Sequence, residues 1–152
     1  MSDAYELSRF VDAQEGVVAA VERELEAGKK RSHWMWFAFP QIEGLGSSPT
    51  AQRYAIRSLD EAIAYLEHPV LGERLRQWTE TVLQHENRSA EEIFGYPDYL
   101  KFRSSMTLFD VAERRRAERT ADRSPGETIF GKALDMFYRG NADESTLRRI
   151  RA

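Results

Sequence analysis

The residues best suited to bind a ligand or to transfer a proton lie in one run of the sequence, SHWMWFAFPQIEGLGSS at residues 32–48. Four aromatic rings fall within six positions of this run, with His33 before them and Gln41 after them. Indole rings offer flat stacking surfaces with a polar N–H at one edge, and an imidazole can exchange a proton near neutral pH. The run therefore predicts a rigid aromatic wall beside a glycine-containing loop whose backbone can approach a ligand.

Two interpretations are open for the large side chains around this wall. Gln14 falls in line with the apolar residues on either side of it, so its amide either fixes a neighbouring backbone segment or faces a pocket, because a buried amide without partners costs about 1–3 kcal/mol. Trp34 and Trp36 either pack into the core or line a site. His33 is either a proton-transfer group or a structural histidine. The loop at 44–49 leads into a Ser-Pro helix start, which is typical of anion binding and of an ordinary capped turn alike.

A second cluster, FGYPDYLKFRSSMTLF at residues 94–109, combines cations with hydroxyl groups. On a helix that begins at Asp98, Lys101 and Ser105 are four residues apart and adjacent in space. Together with Arg103 they are suited to hold an anion through charge-assisted hydrogen bonds. A Ser–Lys pair acting as nucleophile and base would also need a Lys of lowered pKa, whereas a solvated helix face requires nothing more. Asp98 itself has the position of an N-cap.

Other kinds of site are excluded or disfavoured. The chain contains no Cys, which excludes disulfides and thiolate chemistry. The three histidines lack metal-ligand spacing, and no zinc-protease, G-x-S-x-G or EF-hand motif is present, so we predict no metal and no cofactor. Acidic residues interrupt the Arg-rich run at 114–123, which favours a solvated helix end over a nucleic-acid surface.

The spacing of apolar residues predicts the elements that position these side chains. Stripes at intervals of three and four run through nearly the whole chain, and strand-like alternation is missing. The first helix is predicted from Glu6 to Ala27, with Gly28 as its C-cap. Capping signals predict further helix starts at Ser48, Ser58, Ser89, Asp98 and Ser124. The fold is therefore predicted to be all-α, a single domain over residues 1–152 that forms a bundle of about five to seven helices with short loops.

The composition agrees with one small globular domain. A chain of 152 residues, 41% of them hydrophobic, can bury a real core. Its net charge of -3 creates no general attraction for nucleic acid. The acidic N-terminus predicts no signal peptide, and no run of about 18 apolar residues predicts a membrane span. We therefore expect a cytoplasmic protein without membrane association.

Five segments of the sequence share one pattern. They are RFVDAQ at 9–14, GKKRSHWMWFAFPQIEGLGSS at 28–48, YAI at 54–56, EAIAYLEHPVLG at 61–72 and IFGYPDYLKFRSSMTLF at 93–109. Over nearly its whole length the chain resembles the domain-of-unknown-function family 1810, some of whose members are labelled calpastatin-like. Phe102 and Ala38 stand where that family commonly has Leu and Ile. The resemblance implies a mostly helical single-domain fold and supplies no established activity.

A more distant similarity is to the NADAR family, which is linked to ADP-ribose and N-glycosidic bonds. These resemblances imply that the two clusters face each other around a pocket for a small anionic, nucleotide-derived ligand. The expected pocket residues are Gln14, His33, Trp34, Trp36, Gln41, Asp98, Lys101, Arg103 and Ser105. Of these, His33, Asp98 and Lys101 are the candidate catalytic residues and the others bind ligand.

Two alternatives stay open: a non-catalytic protein-interaction module that exposes the aromatic block, and a helical domain in which the block is only core. Neither a reaction nor an oligomeric state follows from the residues.

Overall fold

The computed structural model describes residues 3–120 and 126–151. Within them the chain forms ten α-helices and no β-strand, and Ile42 and Ile56 make an isolated parallel bridge. The helices are α1 (Ser8–Glu15), α2 (Val18–Ala27), α3 (Met35–Ala38), α4 (Pro49–Arg53), α5 (Leu59–Glu67), α6 (Leu71–Leu83), α7 (Ala90–Phe94), α8 (Asp98–Arg119), α9 (Ile129–Tyr138) and α10 (Glu144–Arg151). The all-α prediction is confirmed. The helices outnumber the predicted five to seven because the predicted first helix is two helices, α1 and α2, and because α3 is too short for a repeated apolar stripe to reveal it. None of the helices described here is long and apolar enough to cross a membrane.

The predicted first helix, Glu6–Ala27, is wrong, because the chain bends at Gly16 and forms α1 and α2 instead. Glu6 has a φ of 52°, outside the right-handed helical region, so α1 begins only at Ser8. Gly16 lowers helix propensity by about 1 kcal/mol relative to Ala. At Val17 the backbone leaves helical geometry, with φ -127° and ψ 0°. The bend allows α1 to pack against α3 while α2 packs against α6.

Most of the predicted capping signals are confirmed. Gly28 ends α2 with a φ of 73°, a left-handed conformation that favours glycine. Three serines each accept a backbone N–H in the first turn of a helix, as predicted: Ser48, Ser58 and Ser89. The predicted start at Ser124 lies outside the described residues. Helix α9 is instead capped by Thr128, whose hydroxyl accepts the N–H of Gly131 at 2.9 Å.

Helix α8 is the centre of the packing and contacts α5, α7, α9 and α10. Its side chains Phe102, Met106 and Phe109 are fully buried. The ring of Phe102 stacks on Phe94 with 4.5 Å between centroids and meets Phe39 edge-on at 5.1 Å. These residues belong to one hydrophobic core that also includes side chains of α1, α2, α5, α6 and α9. This packing holds the end of the aromatic run against the N-terminal half of α8.

Candidate functional site

The two tryptophans of the aromatic run have different surroundings. Trp34 is only 1% exposed, and its Nε1–H donates to the carboxylate of Glu24 at 2.9 Å. Phe39, at the end of the run, is also fully buried. Trp36 is half-buried, and its Nε1–H has no acceptor in the described part of the chain. Trp34 is therefore a core residue whose N–H is already bonded, whereas Trp36 keeps an accessible ring surface and an N–H that can donate to a ligand.

Glu24 of α2 holds the segment that precedes the aromatic run. Its carboxylate accepts the backbone N–H of Arg31 at 2.7 Å, the N–H of Ser32 at 3.0 Å and the Ser32 hydroxyl at 2.6 Å, besides the indole N–H of Trp34. Burial by itself raises the pKa of Glu24, but the hydrogen bonds outweigh burial and lower the pKa from 4.5 to about 2. An ionised Glu24 therefore fixes the path of the chain into α3.

Gln14 and Gln41 differ in how their amides are used. Gln14 donates from Nε2 to the carbonyl of Phe37 at 2.8 Å and to the hydroxyl of Tyr65 at 3.1 Å, and its Oε1 accepts from Arg74 at 3.0 Å. Its side chain is an internal tie between α1, α3, α5 and α6. Gln41 is partly exposed, and its amide makes no hydrogen bond with any other residue that the structure describes. Gln41 therefore offers both a donor and an acceptor.

The predicted role of Asp98 as an N-cap is wrong. Pro97 occupies the N-cap position of α8, and no side chain in the described part of the chain caps the helix. The Asp98 carboxylate instead binds the Nζ of Lys30 at 2.8 Å and that of Lys101 at 3.0 Å. Burial raises the pKa of Asp98, but the hydrogen bonds and charges of the two lysines outweigh burial and hold the pKa below its usual value. Asp98 is thus a fixed anion that positions two ammonium groups, and the Nζ of Lys101 lies 3.9 Å from the ring centroid of Trp36.

Two cavities lie beside Trp36 and share three lining residues: Trp36, Gln41 and Leu45. The first, called the Lys101 cavity, has a volume of about 270 Å³ and is also lined by Pro97, Leu100, Lys101, Ser104, Asp143 and Ser145. The second, called the loop cavity, has a volume of about 250 Å³ and is also lined by residues of the 42–46 loop and of the 51–55 segment. Ring surface, a free amide and an ammonium group therefore meet on one side of the molecule.

Two larger depressions border α6 and α9, with volumes of about 530 and 510 Å³. Their lining includes five carboxylates and two cations: Glu22, Glu26, Glu80, Glu127 and Asp135, with Arg76 and Lys132. They contain none of the nine residues predicted for the pocket, and we do not assign a function to them.

The remaining predicted residues are not brought into the cleft. His33 is exposed and makes no hydrogen bond within residues 3–120 and 126–151. Arg103 donates to the carbonyls of Asn141 and Ala142 at 2.7 and 2.9 Å, so its guanidinium ties α8 to the segment before α10. The Ser105 hydroxyl is fully buried and has no hydrogen-bond partner among the residues that the structure describes. Among the described residues no three His, Asp or Glu side chains are grouped as they would be around a metal ion.

A family model described as a protein of unknown function, DUF1810, matches residues 4–150 of this chain. The chain belongs to the DUF1810 family. Among solved structures this DUF1810 chain is similar to the conserved hypothetical protein Rv1873 from Mycobacterium tuberculosis, with 48% sequence identity, 99% of each chain covered and a TM-score of 0.89. A search of curated proteins gave no match. The predicted family is thereby confirmed, together with an all-α fold, and neither description names an activity.

Sequence reasoning on this DUF1810 chain missed several residues around the cavities. Asp143 lines the Lys101 cavity, and its Oδ2 accepts the hydroxyl of Ser104 at 3.0 Å. Tyr54 lines the loop cavity, and the guanidinium of Arg149 lies against the backbone of Gly44 at the edge of the same loop. Asp143 and Arg149 come from segments with no unusual composition, so no sequence signal marks them. Tyr54 and Lys30, by contrast, lie inside segments that carry the family resemblance, and that position could have drawn attention to them.

The buried Ser105 hydroxyl leads to a stability prediction. Ser105→Ala is expected to raise the free energy of unfolding by about 0.5–1 kcal/mol, because it removes a desolvated polar group and improves helix propensity. Urea unfolding followed by circular dichroism measures the change. The matched control is Ser104→Ala, which removes contacts to the Leu100 carbonyl and to Asp143 and is expected to cost about 1 kcal/mol. A clear loss of stability in Ser105→Ala would contradict this assignment.

Proposed function

We propose that this protein binds a small anionic molecule in the cleft formed by the Lys101 cavity and the loop cavity. The observation that carries the proposal is the Gln41 amide, which lines both cavities and has no hydrogen-bond partner in the described part of the chain. A partly buried amide beside an aromatic ring is typical of a group that orients a ligand in a pocket. The neighbouring indole N–H of Trp36 is unused in the same way.

The surroundings of Lys101 are evidence that the ligand is anionic. Its ammonium group carries three donors, and its one ion pair within the described ranges is with Asp98. Asp98 also binds Lys30, so two ammonium groups share one carboxylate and the trio keeps a net positive charge. Lys101 therefore has donors left for a phosphate or carboxylate that enters the Lys101 cavity.

The lining of the Lys101 cavity also indicates that the ligand carries hydroxyl groups. It includes three polar side chains, Asp143, Ser104 and Ser145. The Oδ2 of Asp143 accepts hydrogen bonds from the hydroxyls of Ser104 and Thr146. The second carboxylate oxygen of Asp143 accepts no hydrogen bond from any described residue. Lys101 can bind a phosphate group, and the free carboxylate oxygen of Asp143 can accept hydrogen bonds from sugar hydroxyls, so together they fit a sugar phosphate. A sugar phosphate is consistent with the nucleotide-derived ligand that the similarity to the NADAR family implies.

The lowered pKa of Asp98 keeps its carboxylate ionised at neutral pH, so we assign it the positioning of Lys30 and Lys101 and not proton donation. A catalytic role for His33 or Lys101 stays a prediction, and we assign no reaction. The alternative, an interaction module built on the aromatic block, has weaker support. Trp34 and Phe39 are buried, so the block does not form a flat exposed patch.

The test is the affinity for ribose 5-phosphate, measured by isothermal titration calorimetry up to about 10 mM, a range that covers weak binding. Lys101→Met is expected to weaken binding by about tenfold or more, because it removes a charge-assisted hydrogen bond worth about 1.5–3 kcal/mol. Lys29→Met is the matched control, since Lys29 is exposed and has no side-chain partner among the described residues. Lack of binding by the unmodified protein, or equal affinities of the two variants, would count against the proposal.

A further inference from the structure

We infer that the loop cavity is a separate subsite for an uncharged planar heterocycle of nucleobase size, attached to the anionic part that the Lys101 cavity holds. This inference rests on the proposed function and specifies the class of its ligand. The two cavities share the wall of Trp36, Gln41 and Leu45, so one extended molecule can occupy both.

The volume and lining of the loop cavity favour a flat group. Its volume is about 250 Å³, and the rings of Trp36 and Tyr54 line it together with the aliphatic side chains of Ile42 and Leu45. The ring of Tyr54 packs against the ring of Phe37 in an edge-on arrangement, with 5.3 Å between centroids. Aromatic and aliphatic walls of this kind bind the faces of bases without a requirement for one base.

The loop packs closely beside the ring of Trp36. At Gly46 an added Cβ would lie 2.8 Å from the Cβ of Ala51 and 3.3 Å from the Cη2 of Trp36. Gly46 therefore allows the loop to approach Ala51 more closely than a residue with a side chain could, and a side chain at this position would also crowd the edge of the indole. The loop backbone thus borders the indole that lines both cavities.

The polar groups of the loop cavity match the edge of a heterocycle. Gln41 has a free amide, with one donating and one accepting end. The Nε2 of Gln52 donates a hydrogen bond to the carbonyl of Ser47 at 3.1 Å, and its Oε1 accepts no hydrogen bond from the described residues. Side-chain amides of this type pair with adjacent donor and acceptor atoms of a base.

Charge separates the roles of the two cavities. Among the described residues, the lining of the loop cavity carries one formal charge, the carboxylate of Glu43, which repels a second negative group. The lining of the Lys101 cavity carries the ammonium of Lys101 and the carboxylate of Asp143. Since Lys101 is the one cation among the described lining residues of the two cavities, the anionic end of a ligand is expected beside Lys101 and its neutral ring in the loop cavity.

The test compares ribose 5-phosphate with the 5′-monophosphates of adenosine, guanosine, cytidine and uridine by calorimetry. At least one nucleotide is expected to bind about tenfold or more tightly than ribose 5-phosphate, the gain typical of stacking a base. Tyr54→Leu is expected to remove this gain, so that the variant binds the nucleotide no more tightly than it binds ribose 5-phosphate. Gln52→Met is a second variant at an exposed position with little risk to folding and is expected to reduce the gain by a few-fold. Gln84→Met, at the exposed C-cap position that follows α6, is the matched control and is expected to bind like the unmodified protein.

The outcomes separate this inference from the proposed function. If ribose 5-phosphate binds in a Lys101-dependent manner and no nucleotide binds more tightly, the loop-cavity subsite is wrong while the proposed function stands. The subsite is also wrong if both Tyr54→Leu and Gln52→Met are folded and the nucleotide keeps its full advantage. If none of the five compounds binds, both proposals fail.

Discussion

Replacing Glu24 by Gln is expected to lower the free energy of unfolding at pH 7 by about 3 kcal/mol. Glu24 is 5% exposed, and its carboxylate accepts hydrogen bonds from two backbone N–H groups, the Ser32 hydroxyl and the Trp34 indole. A pKa that falls from 4.5 to about 2 on folding corresponds to roughly 3 kcal/mol, at about 1.4 kcal/mol for each unit. An amide group in this position would also point N–H donors at other donors. For a chain of this size the loss equals a fall in Tm of roughly 6–12 °C.

The same carboxylate predicts a pH dependence of stability. The pKa of Glu24 is lower in the folded than in the unfolded state, so its contribution is complete above about pH 4.5 and disappears as the pH falls towards 2. Glu24→Gln removes this contribution at every pH. The difference in Tm between the unmodified protein and the variant is therefore expected to be largest near neutral pH and to shrink as the solution is acidified from pH 4.5.

Glu26→Gln is the matched control, because Glu26 lies on the same helix, is exposed and makes no side-chain hydrogen bond in the described chain. It is expected to change Tm by no more than about 2 °C, as surface substitutions usually do. If Glu24→Gln melts as the control does, or if its difference from the unmodified protein is constant down to low pH, the anchoring role of Glu24 is wrong.

Replacing Arg9 by Met is expected to destabilise the protein by about 3–5 kcal/mol, since it leaves a buried carboxylate without its cation. The Nη2 of Arg9 contacts Glu61 at 2.7 Å, and the side chains of the pair are 9% and 2% exposed. Arg9 also donates to the carbonyls of Arg53 and Ala55 at 2.9 and 2.8 Å. Glu61 in turn accepts the N–H of Arg57 at 3.1 Å. The pair therefore fixes the 53–57 segment, part of which forms a wall of the loop cavity.

Urea unfolding of Arg9→Met, Glu61→Gln and the double variant measures the coupling between the two side chains. The double variant is expected to lose at least about 1 kcal/mol less than the two single losses together, because the second change removes a charge that the first left unpaired. Arg23→Met is the control, since Arg23 is exposed and has no ion pair among the residues described. Additive losses, or a loss in Arg9→Met no larger than in the control, would contradict the role of this pair.

Local features of the helices could be read from the sequence because they depend on neighbouring residues. Gly28 ends α2 and Ser89 begins α7 as predicted. The same reasoning failed at Gly16, because the apolar stripe continues across the bend and does not reveal a change of direction. It also failed at Asp98, where the sequence pattern indicated an N-cap. The pattern could not indicate the ion pair with Lys30, which lies 68 positions earlier in the chain.

The candidate site was predictable only in outline. The sequence singled out both glutamines and both tryptophans of the N-terminal third, and it could not tell which would keep free polar groups. Gln14 and Trp34 find partners in residues that come from other helices, Tyr65, Arg74 and Glu24. Gln41 and Trp36 find none among the described residues.

The sequence by itself determined the family, the all-α class and the two segments that build the cleft, since motif identity, apolar period and capping chemistry are properties of short stretches of chain. The tertiary structure alone decided which side chains of those segments face a cavity. It also added Tyr54 and Asp143 to the cavity walls. The physical reason is that a polar group becomes available to a ligand only when folding leaves it without a protein partner, and those partners come from distant parts of the chain.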